Sequence, residues 1–158
     1  ACFSILRYII PMIGIAPKVS GYAGVVGDSI PVSGHYTERQ RVCMRHLKEA
    51  FRLTRAQLQP GKVGKEIDAP ARAYFIKHDL SKYLVCPFAH TIGLHEAESP
   101  FFGPHSQDVL KPSMTVCIDV SFFGHPEFHG VRIETGYEIT TNGPVPFSTK
   151  MDALLCND

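Results

Sequence analysis

A chain of 158 residues suits one domain with a sizeable core, because a chain of this length buries roughly 70% of the surface its unfolded form exposes. Its composition, 44% hydrophobic and 20% charged with a formal charge of +1, gives no sign of a nucleic-acid or acidic-membrane partner. The five cysteines (Cys2, Cys43, Cys86, Cys117 and Cys156) are odd in number and form no CxxC pair, which speaks against a disulfide framework or zinc knuckle and for free thiols in a reducing, cytoplasmic setting.

The apolar opening FSILRYIIPMIGIA is interrupted by Arg7 and Pro11 and falls far short of the ~20 residues a membrane span needs. A cleavable signal also fits poorly, since no basic region precedes it. Residues 3–16 are expected as buried strand, and a second extended segment follows to Pro31 and Gly34, punctuated by Pro17, Gly21, Gly24 and Gly27. These glycines lack the order of a phosphate loop and suit turns and bulges. Thr37-Glu38-Arg39-Gln40 is a capping box that starts a helix, Leu47, Phe51, Thr54 and Leu58 form its core-facing stripe, and Pro60-Gly61 ends it. A second amphipathic helix carries Val63, Ile67, Ala71 and Phe75. Pro70 either kinks it or lies in the first turn of a shorter helix capped by Asp68.

From Tyr83 the pattern turns to strands and loops: YLVCPF, HTIGLHEAESP, and a Pro/Gly/His-rich loop to Pro112. In Pro112 to Glu134 two strand-like runs each deliver a carboxylate. Met114, Val116 and Ile118 alternate with Thr115, Cys117 and Asp119, while Val131 and Ile133 alternate with Gly130, Arg132 and Glu134. Two carboxylates on the polar sides of neighbouring strands make a site for a cation, a proton or a cationic substrate, or else simply decorate an ordinary sheet. Tyr137, Ile139 and Asn142-Gly143 suggest a further strand and turn, with Val145 to Ser148 returning. Strands, two long helices, then strands again imply an α+β domain with helices on one face of a mostly antiparallel sheet.

The order of pieces resembles the catalytic domain of the creatinase, prolidase and methionine aminopeptidase superfamily, the pita-bread fold. The resemblance runs from about Ile13 to Ser148. Its marks are Gly21-Tyr22 before Val25 and Gly27, the helix opening TERQ, Pro60-Gly61 between helices, HTIGL with Glu98-Ser99-Pro100 beyond it, and GVRIE followed by a strand and Asn142-Gly143. It implies a partial pita-bread fold with a curved sheet. Such enzymes bind two metal ions through two aspartates, one histidine and two glutamates. By position the histidine matches His90, the first glutamate falls on Asp119 and the second matches Glu134. The aspartate positions, eleven residues apart, fall on Gly14 and Val25, and neither side chain ligates a metal. Asp28 lies three residues out of register, so a bulge would have to bring it in. Ala97 replaces a family histidine, with His95 two residues earlier, and the family's upstream catalytic histidine would lie before Ala1.

A binuclear centre is therefore not expected, because two dications need several anionic ligands. His90, Asp119 and Glu134 remain the candidate catalytic set, with Arg132, His95, Glu98, His125 and His129 as candidate substrate-binding residues. The leading expectation is a metal-independent enzyme with no cofactor, acting on a small amide-like or other polar substrate through a His plus carboxylate set. The alternatives are a mononuclear hydrolase of Xaa-Pro type, with one divalent transition metal on His90, Asp119 and Glu134, and a catalytically silent binding module. His105 reads as a loop residue, and His35, His46 and His78 as surface positions near helix ends. Phe101, Phe102, Phe122 and Phe123 read as core or interface, or as an apolar substrate wall. A small molecule or short peptide is the expected partner, together with a second copy of the chain, since a partial domain exposes apolar edge surface.

Overall fold

The computed structural model describes residues 10–157. The expected strand at residues 3–16 thus lies largely outside the described residues; what is described is β1, Met12–Ile15. In chain order follow β2 (Lys18–Val19), β3 (Tyr22–Ala23), β4 (Val26–Ser29), α1 (Glu38–Gln57), α2 (Gly64–Lys77), a 3-10 turn at Ser81–Tyr83, β5 (Ala89–Thr91), β6 (Glu98–Phe101), β7 (Thr115–His125), β8 (His129–Thr140), β9 (Gly143–Pro146) and α3 (Thr149–Cys156). The main sheet runs β1-β4-β8-β7-β5-β6, with β9 also paired to β8, and β2 and β3 form a separate ribbon. Its ladders are antiparallel. Helices on an antiparallel sheet give the α+β, partial pita-bread architecture expected from the sequence.

Alternation along the long β7–β8 hairpin separates the two faces of the sheet. Val116, Ile118, Val120 and Phe122 of β7, with Val131, Ile133, Tyr137 and Ile139 of β8, are buried in one cluster with Leu47, Phe51, Leu58, Ile67, Ala71 and Phe75 of the helical layer. Burying such side chains is worth about 1.5–3 kcal/mol each, which fixes the register, because a one-residue slip would turn the whole set to the opposite face. The other parity, Cys117, Asp119, Arg132 and Glu134, is left for the second face. β7 changes parity at its end. The ladder shifts between Phe123 and His125 around Gly124, whose φ of +77° suits a glycine, and His125 is turned against Phe122, Tyr83 and Phe128.

The capping box at α1 forms as the spacing predicts: Gln40 N–H donates to Thr37 Oγ1 at 3.3 Å and Thr37 N–H to Gln40 Oε1 at 2.7 Å. α2 begins at Gly64, where Glu66 accepts from Val63 N–H at 3.0 Å, and it continues through Pro70. Asp68 is therefore not a cap. It lies buried inside the helix and is paired with Arg72 one turn on. YLVCPF is not a strand but the 3-10 turn and a loop leading to β5. β1 is also not a buried strand: among the described residues it pairs with β4 alone, at the sheet edge, and Met12, Ile13 and Ile15 are exposed. α3 has no counterpart in the sequence reading. Ser148 caps it, accepting from Met151 N–H at 3.3 Å, and Asp152 ties it down by accepting from Arg55 and from the Tyr137 hydroxyl. Cys43, Cys86, Cys117 and Cys156 are free thiols.

Candidate functional site

The second face of the sheet carries the chemistry. Asp119 and Glu134 are direct cross-strand partners of β7 and β8, and His90 of β5 is the partner of Cys117. Opposed residues of this kind hold their Cβ atoms about 5 Å apart. His90, Asp119 and Glu134, some forty residues apart at the extremes of the sequence, are thereby brought to one place, with Cys117 among them. All four are buried, His90 and Asp119 at 4% exposure, Cys117 and Glu134 at 0%.

Arg132 organises the carboxylates. Its Nε donates to Asp119 Oδ1 at 3.1 Å and its terminal nitrogen to Oδ2 at 2.5 Å, so both oxygens of Asp119 are engaged. Arg132 Nε also lies 3.1 Å from Glu134 Oε2, but its single hydrogen points to Asp119. Glu134 Oε2 is thus in a charge contact and is left without a hydrogen bond. The other oxygen, Oε1, accepts from the Cys117 thiol at 3.2 Å. Burial, followed by the Asp119 charge, pushes the Glu134 carboxyl up to about 7 against the opposing pull of Arg132. Burial and the adjacent Glu134 push the Cys117 thiol well above its ordinary range. His90 Nδ1 lies 3.0 Å from the Thr91 carbonyl, which only accepts, so Nδ1 is the donor and Nε2 is the nitrogen turned to the site.

One ligand atom each from His90, Cys117 and Glu134 lie within 4.8 Å of one another. Phe101 flanks them, its ring centroid 5.6 Å from that of His90, and its 45% exposure makes it the accessible wall of the site. Glu96 stands at the mouth, 4.0 Å from Arg132. Val25 packs with Ile92 and Cys117 in a small apolar cluster. Gly14 pairs with Gly27, which pairs with Glu134; a Cβ on Gly27 would stand 3.1 Å from Glu134 Oε2. The β1–β4 ladder runs through Ile13 and Asp28 without a bulge, so Asp28 takes the opposite parity and faces Tyr36, Met44 and Lys48 of the helical side.

The remaining candidates lie elsewhere or are committed otherwise. Glu98 clamps its own loop, accepting from His95 N–H at 2.6 Å, and the His95 side chain is exposed. His125 and His129 are partners at the far end of the hairpin, six residues along β7 from Asp119 or roughly 20 Å. His46 is not at a helix end: it sits mid-helix in α1 against Tyr74 and His78 of α2. Cys117 and Glu96 were missed as site residues. The signal for Cys117 was its alternation in phase with Asp119, which places it on the same face.

A buried imidazole, a thiol and a carboxylate converge on this sheet as donors that could hold a metal ion. Residues 10–141 match the Metallopeptidase family M24, and the chain belongs to that family. It is 31% identical over 112 residues to the Xaa-Pro dipeptidase of Pyrococcus furiosus and 30% identical over 123 residues to the uncharacterized peptidase YqhT of Bacillus subtilis. These alignments cover 71% and 78% of this chain but 32% and 34% of those proteins, so the chain spans about a third of the length of the curated relatives it matches. The prolidase structure from Pyrococcus furiosus superposes with a TM-score of 0.78 at 26% identity, covering 93% of this chain and 41% of that one. The X-Pro aminopeptidase of Thermotoga maritima shares the fold, with a TM-score of 0.78 at 17% identity.

Membership of a metallopeptidase family overturns the expectation of a cofactor-free, metal-independent enzyme. The donor set agrees with that correction for one ion. Among the described residues a second ion finds no donor set, because Val25 is an apolar neighbour of Cys117, Gly14 offers no donor, and Asp28 is on the opposite face. One ion fits: three convergent donors are present, and Glu134 Oε2 is buried without a hydrogen bond. Among the described residues, no helix is long and apolar enough to cross a membrane.

Proposed function

We propose that this chain carries the metal-binding sheet of an M24 hydrolase that cleaves the peptide bond of short Xaa-Pro peptides with one divalent ion held at His90 and Glu134. The observation that carries this reading is the gathering of His90, Asp119 and Glu134, the positions matching family ligands, on one buried sheet face where a carboxylate oxygen lacks a hydrogen bond. When bound, the ion supplies Lewis-acid polarisation of the scissile carbonyl. Thr91 fixes the His90 ring through Nδ1, so its other nitrogen keeps a constant direction. Glu134, whose carboxyl burial and the Asp119 charge push up to about 7 in the metal-free chain, would give up its proton on taking the ion and hold it as a carboxylate. Arg132, locked by Asp119 and partly exposed, presents a fixed positive charge to the C-terminal carboxylate of a short peptide. Phe101 offers an exposed apolar ring beside His90, suited to a proline ring.

A second reading, a silent peptide-binding module, is favoured by Val25 and Gly14 at the aspartate positions. Assaying the purified chain with Xaa-Pro dipeptides in zinc, cobalt or manganese separates the two. The expected result is metal-dependent hydrolysis, abolished by chelation and reduced by Glu134→Gln, which removes an anionic ligand, by more than the roughly 10- to 100-fold that loss of an outer partner of a ligand costs. Peptide binding without turnover under every metal would overturn the hydrolase reading in favour of the module.

A further inference from the structure

We propose that Cys117 completes the metal site, so that His90, Cys117 and Glu134 bind one borderline-soft divalent ion, zinc by its chemistry, through a thiolate that the family's ligand positions do not include. The inference rests on the one-metal reading above and specifies its ligands and the class of ion.

Four observations on the sheet converge on Cys117. It is the register partner of His90 and lies diagonally from Glu134, so β5, β7 and β8 each contribute one donor to the same spot. Asp119, the carboxylate at the family position on β7, has both oxygens taken by Arg132. Recruiting Asp119 would break that charge pair, whereas recruiting Cys117 breaks its thiol hydrogen bond to Glu134 and removes the thiol proton, which a dication at the site favours. Glu134 Oε2 is buried without a hydrogen bond. His90 is oriented from behind by a backbone carbonyl, the arrangement commonly found at ligating histidines.

Geometry and charge agree. Donors around a tetrahedral zinc stand about 3.3–3.8 Å from one another, given bond lengths of about 2.0–2.3 Å. Cys117 Sγ and Glu134 Oε1 are 3.2 Å apart, and the three donors lie within 4.8 Å, so only small side-chain rotations are required. Asp119 and Arg132 neutralise each other. One thiolate and one carboxylate then balance one dication, and the buried site carries no net charge. On binding, the sulfur–hydrogen bond of Cys117 breaks, a sulfur–metal bond replaces a metal–water bond, and the thiol proton is released to solvent together with the proton of Glu134 wherever its carboxyl, pushed up to about 7, is protonated. A thiolate and an imidazole select zinc or cobalt over magnesium, calcium or manganese, which prefer oxygen.

The test uses the whole chain loaded with zinc or with cobalt as its spectroscopic substitute. Zinc X-ray absorption is expected to show one sulfur at about 2.3 Å among nitrogen and oxygen neighbours. Titration with cobalt is expected to saturate at one ion per chain with a near-ultraviolet thiolate charge-transfer band. That band should survive Cys86→Ser and vanish in Cys117→Ser, with a loss of affinity exceeding the roughly 10- to 100-fold that loss of an outer partner costs. A shell of nitrogen and oxygen alone, saturation at two ions, a band that persists in folded Cys117→Ser, or no binding at all would each overturn the proposal. The absorption measurement needs no variant and stands even if Cys117→Ser does not fold. Sulfur-bound zinc without peptide hydrolysis would sink the hydrolase reading and leave this inference intact. Metal-dependent hydrolysis with no sulfur in the shell would do the reverse.

Discussion

Arg132 is the residue on which the polar face depends. It neutralises Asp119, which is 4% exposed, and it sits against Glu134, which is fully buried. Replacing Arg132 by Leu leaves two buried carboxylates without their counter-charge, and such losses typically cost about 3–5 kcal/mol. Urea denaturation of Arg132→Leu should show a loss of that order, and Asp119→Leu in the same background should restore part of it. If the double variant is no more stable than the single one, the Asp119–Arg132 pair is not what holds this face together.

Contacts between helices carry two further expectations. His46 Nδ1 of α1 is hydrogen-bonded with the Tyr74 hydroxyl of α2 at 2.9 Å, and the ring lies beside His78; burial first, then the charges of His78 and Arg45, lower its pKa. A histidine with a lowered folded pKa contributes stability that is present above its ordinary pKa of 6.5 and is lost as pH falls through the folded value. Glu134, with its carboxyl pushed up to about 7, acts in the opposite direction, so the His46 contribution is read as a difference: from pH 7.5 to pH 5 the urea midpoint of the parent chain should fall relative to that of His46→Gln. An identical pH dependence in the variant would exclude His46 as its source. The second expectation concerns α3. Asp152 accepts from Tyr137, whose hydroxyl donates at 2.6 Å inside the core, and from Arg55 at 2.7 and 2.9 Å. Asp152→Ala strands that buried hydroxyl and should cost about 1–3 kcal/mol, read as a fall in thermal midpoint. An unchanged midpoint would mean that α3 is held by its apolar contacts, Leu155 with Met151 and Cys156, rather than by Asp152.

At the scale of the whole molecule, β1 closes one edge of the sheet with exposed apolar side chains. Ile13 is 47% and Ile15 56% exposed, and Val19 and Tyr22 of the neighbouring ribbon are 76% and 64% exposed. Among the described residues the outer side of β1 has no strand partner, and an edge of this composition invites strand addition. Self-association through β1 is the expected outcome, seen by sedimentation at micromolar concentration and weakened by Ile15→Lys. A stable monomer at that concentration would refute it. The same chain spans about a third of its curated relatives, so the surface that covers β1 in a longer protein is a separate question from its pairing here.

Elements whose cause is local were legible in the sequence. The capping box at Thr37 and the stripe Leu47, Phe51, Thr54 and Leu58 depend on neighbours three and four residues away, and alternation from Met114 to Glu134 assigned the two faces of β7 and β8. Position within the family motifs likewise singled out His90, Asp119 and Glu134. What the sequence did not contain was competition between those side chains. Only the register of β7 with β8 shows that Arg132 occupies Asp119, and only the pairing of β5 with β7 brings Cys117 to His90. α3 escaped for a similar reason: its anchor is Asp152 reaching Arg55 and Tyr137, contacts 97 and 15 residues away in the chain. Short-range pattern determines helix starts and strand faces because the backbone's own periodicity enforces them. Which donors are free and which are already spent is decided by contacts between distant strands, and these exist only once the sheet has closed its register.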